Sequence, residues 1–430
     1  MFGTSGIRGI VNEDITPGLA LQVGRACGAI QENIVVGKDP RTSSDMIQMA
    51  FVAGALSTGG RVTDIGLAAT PTLAHATKNY DMGVMITASH NPGMYTGLKL
   101  FNSDGSGYSP RQSLEIEKNL EGKKAKWYQL KELKKYRGAA TDHLMAILDS
   151  IGVLHDSIKV IVDCSNGATG TITPFLLEKM GCSVSTLNAQ PDGFFPGHDP
   201  EPVENNLYHI LRFTRSSKCI GLAHDCDGDR TVVAYKGDLI PSDTILALLA
   251  KYLRKKHIVV PINTSQSVDV YLQNTEIIWT PIGDIFISQK LKEIHGDFGG
   301  EPSGTFVFPF FSYCPDGIFA AAQIMKMFEE INVDDALHSF PHYWKFVGSV
   351  SLGKKNWGTV LKKINMESDK FSYVNKSTLD GIRVDLEDSW FLVRPSGTEP
   401  KIRITVESKK REDGKQLYKK LVNIVKGCVK

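Results

Sequence analysis

Met82-Gly-Val-Met-Ile-Thr-Ala-Ser-His-Asn-Pro-Gly-Met-Tyr-Thr-Gly-Leu-Lys99 passes from an apolar run straight into a polar, turn-rich loop. A short unbroken apolar run bounded by turn residues reads as a buried strand. The loop it empties into offers Ser89 as an exposed hydroxyl, next to His90, an Asn-Pro-Gly turn and Lys99. Taken alone, Ser-x-Asn-Pro is a turn that caps a helix. A serine hydroxyl becomes a nucleophile only when a base takes its proton or its partner is activated. Once phosphorylated it carries a charge of about −1.5 to −2. His90 and Lys99 are the adjacent candidates for proton handling or phosphate neutralisation.

The same succession, a strand emptying into a polar loop, recurs along the chain, and this order of elements predicts the fold. A first copy runs from Ile34-Val-Val-Gly37 through a helical stretch and Val62-Thr-Asp-Ile65 to the Ser89 loop. A second runs from Lys159-Val-Ile-Val162 through a helix ending at Met180 to Cys219-Ile-Gly-Leu-Ala223 and Asp225. A third runs from Ile258-Val-Val-Pro261 through Glu276-Ile-Ile-Trp279 to Phe298 and Glu301. Apolar strands alternating with helices imply α/β layers with mixed, largely buried sheets. Ligands collect where such strands end. From about residue 343 the pattern changes to strands and turns with a C-terminal helix, a smaller α+β domain. We place the domains at residues 1–136, 137–237, 238–341 and 342–430.

Bulk properties narrow the class. A chain of 430 residues exceeds the size of a single core. A net charge of +2 gives no electrostatic case for nucleic acid or an anionic membrane as partner. Residues 118–135 are basic and read as the solvated face of a helix with its linker. Seven cysteines without paired or metal-ligand spacing fit a reducing cytoplasm. No apolar run approaches the roughly 20 residues of a membrane helix.

Three further loops carry chemistry. In His224-Asp-Cys-Asp-Gly-Asp-Arg230, Asp225, Asp227 and Asp229 repel one another unless a cation sits among them. An all-oxygen set selects a hard ion such as Mg²⁺. An EF-hand is excluded because Arg230 and Lys236 stand where Gly and Glu are required. Gly299-Gly-Glu-Pro-Ser-Gly-Thr305 presents Glu301 and Ser303 to vicinal sugar hydroxyls, or is a plain surface turn. In the segment from Arg394 to Arg403, the side chains of Arg394, Ser396, Thr398 and Arg403 and the backbone near Gly397 can form a nest for a dianionic phosphate. The segment Phe194-Phe-Pro-Gly-His-Asp-Pro-Glu-Pro-Val-Glu204 is given no chemistry.

Thr-Ala-Ser-His-Asn-Pro resembles the phosphoserine loop of the α-D-phosphohexomutase superfamily, and the other loops occur in that superfamily's order. The resemblance implies a four-domain architecture, three similar α/β domains plus the C-terminal α+β domain, with one loop from each in a central cleft. It implies a phosphoserine at Ser89 and catalytic roles for His90, Lys99 and Arg8, the last in Gly3-Thr-Ser-Gly-Ile-Arg-Gly9. Mg²⁺ would be held by Ser89 and the three aspartates. Substrate would be held by Arg230, Glu301, Ser303 and the loop carrying Arg394, Ser396, Gly397, Thr398 and Arg403. A sugar phosphate is then the substrate and a sugar bisphosphate the intermediate, with homodimer formation left open. Thr305 stands where many members have His, so an acid–base role for that His does not carry over. The sequence around Pro281-Ile-Gly-Asp284 and the last loop resembles the branch acting on glucosamine phosphate, glucose or mannose phosphate being the alternative. Two rival readings are weighed. A haloacid-dehalogenase-type phosphatase would need Thr or Val at position 229, and a sugar-phosphate sensor would need neither Ser89 nor three carboxylates.

Overall fold

The computed structural model describes residues 2–3, 6–217, 219–353, 356–396 and 400–429. They fall into two compact units, Met1–Lys255 with Gly283–Val333, and Lys256–Ile282 with Asp334–Lys430.

The first unit opens with β1 (Ile7–Ile10), α1 (Pro17–Ile30), β2 (Asn33–Lys38), α2 (Ser44–Ser57), β3 (Arg61–Leu67), α3 (Thr70–Thr77), β4 (Met82–Ile86), β5 (Tyr95–Asn102), α4 (Pro110–Lys118) and β6 (Lys134–Lys135). Its strands form one mixed sheet in the order β1-β5-β4-β2-β3-β6. β4 is buried along its whole length, which is why its sequence is apolar without alternation. It runs parallel to β2 and antiparallel to β5, so the 87–94 loop springs from the middle of the sheet. Thr16 caps α1 by accepting from the Leu19 N–H at 3.2 Å, with Pro17 in the first turn. The chain continues through α5 (Ala139–Ile151), β7 (Lys159–Asp163), α6 (Thr173–Met180), β8 (Ser183–Leu187), α7 (Tyr208–Ser216), β9 (Ile220–His224), β10 (Thr231–Tyr235), β11 (Asp238–Ile240) and α8 (Ser242–Tyr252). These strands form a second mixed sheet, β11-β10-β9-β7-β8. β9 is wholly buried and delivers the 225–230 loop at its end. The later segment of this unit adds a helix at Asp284–Ile294, an antiparallel pair Phe298–Glu301 and Thr305–Val307, and a helix at Gly317–Glu330.

In the second unit, His257–Pro261 and Glu276–Thr280 pair in parallel. Its five-stranded sheet has the order Trp344–Ser351, Lys401–Ser408, Ser389–Pro395, Ile382–Asp385, Asn375–Ser377, every pair antiparallel. Alternation along Ser389–Pro395 sorts its side chains to two faces. Phe391 and Val393 join the core with Val360, Ile364, Leu421 and Val425 of the helices Trp357–Ser368 and Arg411–Val429. Trp390 and Leu392 pack on Ile262. The Arg383 guanidinium sits 4.6 Å from the Trp279 ring centre and 4.1 Å from that of Trp390.

The expected mixed sheets and smaller C-terminal α+β domain are present. The basic stretch 118–135 differs from expectation. α4 stops at Lys118, and the chain beyond it is largely exposed, with one short turn at Trp127–Gln129 before the two-residue β6. This stretch has charge but no apolar periodicity, so nothing holds it as a helix. All seven cysteines are free. Among the described residues no helix is long and apolar enough to cross a membrane.

α1 and α2 approach so closely that glycine is required at the contact. A Cβ on Gly54 would lie 2.1 Å from the Leu21 carbonyl oxygen, and one on Gly24 would lie 2.1 Å from that of Phe51. Gly54→Ala is therefore expected to cost about 1–3 kcal/mol in urea unfolding. Gly18→Ala, whose added Cβ would meet nothing closer than 3.7 Å, is expected to be neutral or slightly stabilising. Equal midpoints for the two variants would contradict the close approach.

Candidate active site

Ser89 sits at the end of β4 with a left-handed backbone, φ 52°. A non-glycine residue there is uncommon and needs support from its surroundings. The support is dense. The Ser89 N–H donates to Thr87 Oγ1 at 2.8 Å, and Thr87 Oγ1 donates to Asp39 Oδ2 at 2.7 Å. Arg41 pairs with Asp39 through Nε at 2.9 Å. Its remaining donors go to three carbonyl oxygens of the same loop, Ser89 and Asn91, both at 2.6 Å, and Pro92 at 2.7 Å, and to that of Tyr95 at the start of β5 at 3.0 Å. All five guanidinium N–H groups are thus occupied. The Phe195 ring lies 5.2 Å from Arg41 Cζ, and a Cβ on Gly193 would lie 2.4 Å from the Thr42 nitrogen. Phe195, in the 194–204 segment to which the sequence assigned no chemistry, and Gly193 just before it therefore back the serine loop.

Ser89 is buried, not exposed as the loop sequence suggested. The reason is the 225–230 loop from the second sheet, which closes over it. Ser89 Oγ donates to Asp225 Oδ2 at 2.7 Å. Asp225, Asp227 and Asp229 each bring one oxygen within 4.8 Å of the others, all three buried. Asp225 Oδ1 accepts the Gly228 N–H at 3.0 Å and the Arg230 N–H at 3.3 Å. Asp227 Oδ2 accepts from Thr70 Oγ1 at 2.6 Å and Lys99 Nζ at 3.0 Å, and Lys99 also reaches Asp229 Oδ2 at 2.6 Å. Asp227 Oδ1 has no partner among the described residues. An orphaned buried carboxylate oxygen in an all-oxygen cluster fits a hard divalent cation.

The electrostatics follow from this crowding. Burial, then Asp229 and Asp227, push the Asp225 carboxyl well above its usual range. Burial alone would raise Asp227 too, but Lys99 and the Thr70 hydrogen bond overcome it and hold it low. His90 Nδ1 lies 3.5 Å from Ser89 Oγ, and burial together with Arg230 and Arg8 holds the ring neutral, well below its ordinary pKa. Arg8 lies on β1 opposite Gly97 of β5, and its buried Nε has no partner among the described residues.

Glu301 and Ser303 join the same unit. Arg230 and Thr305 form a β-bridge, and the Thr231 N–H donates to the Gly304 carbonyl at 2.9 Å. Glu301 accepts the Gly283 N–H at 2.9 Å and the Ser303 hydroxyl at 3.2 Å. Burial and then Asp284 push its carboxyl up to about 7. Asp284 starts the helix Asp284–Ile294; the sequence singled it out only as part of a branch resemblance. Its charge also acts on Lys99.

Ser89, His90, Lys99, Arg8, the three aspartates, Arg230, Glu301 and Ser303 are therefore assembled in one unit. The second unit holds Arg394, Ser396 and Arg403. Arg394 and Arg403 are direct cross-strand partners, like charges that favour an anion between them. Arg394 Nε and Ser396 Oγ are buried without partners among the described residues. Gly397 and Thr398 lie outside the described residues. Sequence reading gave no role in the site to Asp39, Arg41 or Thr70, and took Asp284 only as part of a branch resemblance. Lys38-Asp-Pro-Arg41 directly follows the apolar run Ile34–Gly37, but its partners in the serine loop lie 48 residues or more away in sequence.

Comparison with known proteins agrees along the whole chain. Residues 1–127, 141–238 and 241–343 match alpha/beta/alpha domains I, II and III of the phosphoglucomutase/phosphomannomutase family, and residues 359–424 match its C-terminal domain. The chain is similar to a probable phosphoglucosamine mutase of Methanocella arvoryzae, 43% identical over 435 residues, covering 100% of the chain and 98% of the relative. It is similar to another of Methanococcoides burtonii, 44% identical, covering 99% of each. A solved phosphoglucomutase/phosphomannomutase family protein from Burkholderia thailandensis has the same fold, with a TM-score of 0.89 at 24% identity, covering 100% of the chain and 98% of that structure.

Two predictions test the site. Arg41→Met leaves Asp39 buried and unpaired and is expected to cost about 3–5 kcal/mol in urea unfolding; a cost under about 1 kcal/mol would deny the clamp. Glu301 binds its proton more tightly folded than unfolded, so its stabilising contribution is complete below the ordinary carboxylate value of 4.5 and is lost as pH rises through about 7. Wild type should lose stability relative to Glu301→Gln between about pH 5 and 8 in thermal unfolding. Parallel curves would exclude the raised carboxyl.

Proposed function

Because the chain belongs to the phosphoglucomutase/phosphomannomutase family, we propose that it is a mutase that interconverts glucosamine 6-phosphate and glucosamine 1-phosphate through a phosphoserine at Ser89 and a sugar bisphosphate. The observation that carries this reading is the Ser89 hydroxyl bonded to Asp225 within the buried carboxylate cluster. Relatives named probable phosphoglucosamine mutase, similar over nearly their full length, favour glucosamine phosphate over glucose or mannose phosphate.

Atoms balance in two transfers. The sugar hydroxyl gives its proton to a base and forms a bond to phosphorus as the Ser89 Oγ–P bond breaks, and Ser89 Oγ takes up a proton, giving free Ser89 and a bisphosphate. After the bisphosphate turns over, Ser89 Oγ gives its proton to a base and attacks the other phosphorus, the bond from that phosphorus to the sugar oxygen breaks, the sugar oxygen takes up a proton, and the phosphoserine is restored. Asp225, Asp227, Asp229 and the serine phosphate would hold Mg²⁺, which when bound draws charge from the transferring group. Arg41 keeps the loop backbone fixed during transfer and has no donor left for substrate. Lys99, buried against two carboxylates, neutralises charge at the reacting centre. Arg8, whose buried Nε has no partner among the described residues, and Arg230 would bind phosphate oxygens, and Glu301 and Ser303 the ring hydroxyls. Arg394, Ser396, Arg403 and the segment with Gly397 and Thr398 would grip the non-reacting phosphate. In this reading domains 1–136, 137–237, 238–341 and 342–430 each contribute one loop, and the enzyme works in the cytoplasm.

Ser89→Ala should remove mutase turnover on glucosamine, glucose and mannose phosphates by at least about 10³-fold, as loss of a covalent nucleophile does. It should also abolish ³²P transfer to protein from the bisphosphate. Near-normal turnover in the variant would sink the proposal. Phosphate release from many monoesters without isomerisation would favour a phosphatase instead.

A further inference from the structure

Asp227 is held from two directions at once. Thr70, the first residue of α3, donates its backbone N–H to the Asp227 carbonyl at 2.7 Å and its hydroxyl to Asp227 Oδ2 at 2.6 Å. Thr70 is 1% exposed, so water does not compete for either bond. The two groups are 157 residues apart and follow strands of different sheets, β3 and β9. The start of α3 is itself braced. Thr72 Oγ1 lies 3.1 Å from His143 Nδ1, and His143 Nε2 lies 3.0 Å from Asp316 Oδ2. Asp316 caps the helix Gly317–Glu330 through the Ile318 and Phe319 N–H groups at 3.0 and 2.8 Å. The Gly317 N–H then donates to the Gly228 carbonyl at 3.1 Å, beside Asp227. A closed circuit of buried hydrogen bonds thus fixes the threonine relative to the carboxylate it touches.

The consequence is an orientation. With Oδ2 engaged by the Thr70 hydroxyl and Lys99, Oδ1 is left without a partner among the described residues. We infer that Thr70 is a positioning residue of the cation site, holding the Asp227 carboxylate in the rotamer that presents Oδ1 to the metal. This rests on the reading of the aspartate cluster as a Mg²⁺ site. Partners that orient a metal-ligating group typically contribute 10–100-fold in affinity. The hydroxyl, not the bulk of the side chain, is the acting group, since the methyl group makes none of these bonds.

The test is direct Mg²⁺ binding to the full chain after chelator treatment, by titration calorimetry, with Mn²⁺ followed by electron paramagnetic resonance as a second readout. Thr70→Val keeps the shape and removes the hydroxyl, and should weaken Mg²⁺ binding by about 10–100-fold with the circular dichroism spectrum unchanged. Thr70→Ser should return to within about threefold of wild type. Turnover by Thr70→Val should recover as Mg²⁺ is raised to saturation, with KM for the sugar phosphate unchanged, which a merely loosened fold would not do. Thr70→Ala serves as the hydroxyl-free variant if the valine is not accommodated. Wild-type affinity in a folded Thr70→Val or Thr70→Ala, or a serine variant as weak as the valine, would overturn the inference. A wild-type protein that binds neither Mg²⁺ nor Mn²⁺ would instead remove the cation site, and this inference with it.

Discussion

Three buried carboxylates within 4.8 Å of one another are the constraint on which the rest of the first unit depends. At roughly 5 Å and an effective dielectric near 20, each like-charged pair repels by about 3 kcal/mol. Burial adds to the penalty on each charged form. No single neighbour offsets this. Lys99 bridges two of the carboxylates, backbone N–H groups serve Asp225, and Thr70 serves Asp227. A cluster maintained at such cost is suited to a dication and to the phosphoryl group that dication would meet.

The serine is brought to the cluster by a second, independent device. Arg41 spends its five donors on one carboxylate and four carbonyls, so it fixes backbone shape and leaves recognition to others. Asp39 ties the two devices together. It accepts from Thr87 beneath the serine and, at 3.3 Å, from the thiol of Cys226 between two of the cluster's aspartates. Serine loop and carboxylate loop are thus registered against each other through one buried anion. In the second unit, the facing Arg394 and Arg403 apply the opposite logic, concentrated positive charge suited to an anion.

Much of this was legible beforehand because the informative signals are local. An unbroken apolar run reads as a buried strand, and β4 and β9 are buried throughout. Aspartates at alternating positions after a strand announce a shared cation, and 225, 227 and 229 do converge. Where the reading failed, the deciding partner was remote. Ser89 read as exposed because its loop is polar, and it is buried because a loop 136 residues away covers it. The 118–135 stretch read as part helix because of its charge, but only an apolar stripe packed on a neighbour would have held it so.

The amino-acid sequence by itself determined which chemical groups each loop carries, since a loop's composition and spacing are properties of contiguous residues. It determined the order of strand, helix and loop for the same reason. Only the tertiary structure decided that Arg41 clamps the serine loop, that Thr70 orients Asp227 and that Asp284 lies near Glu301. Those relations depend on sheet register and on the close approach of elements far apart in the chain, and no local pattern encodes a distance between residues that first meet when the sheets form.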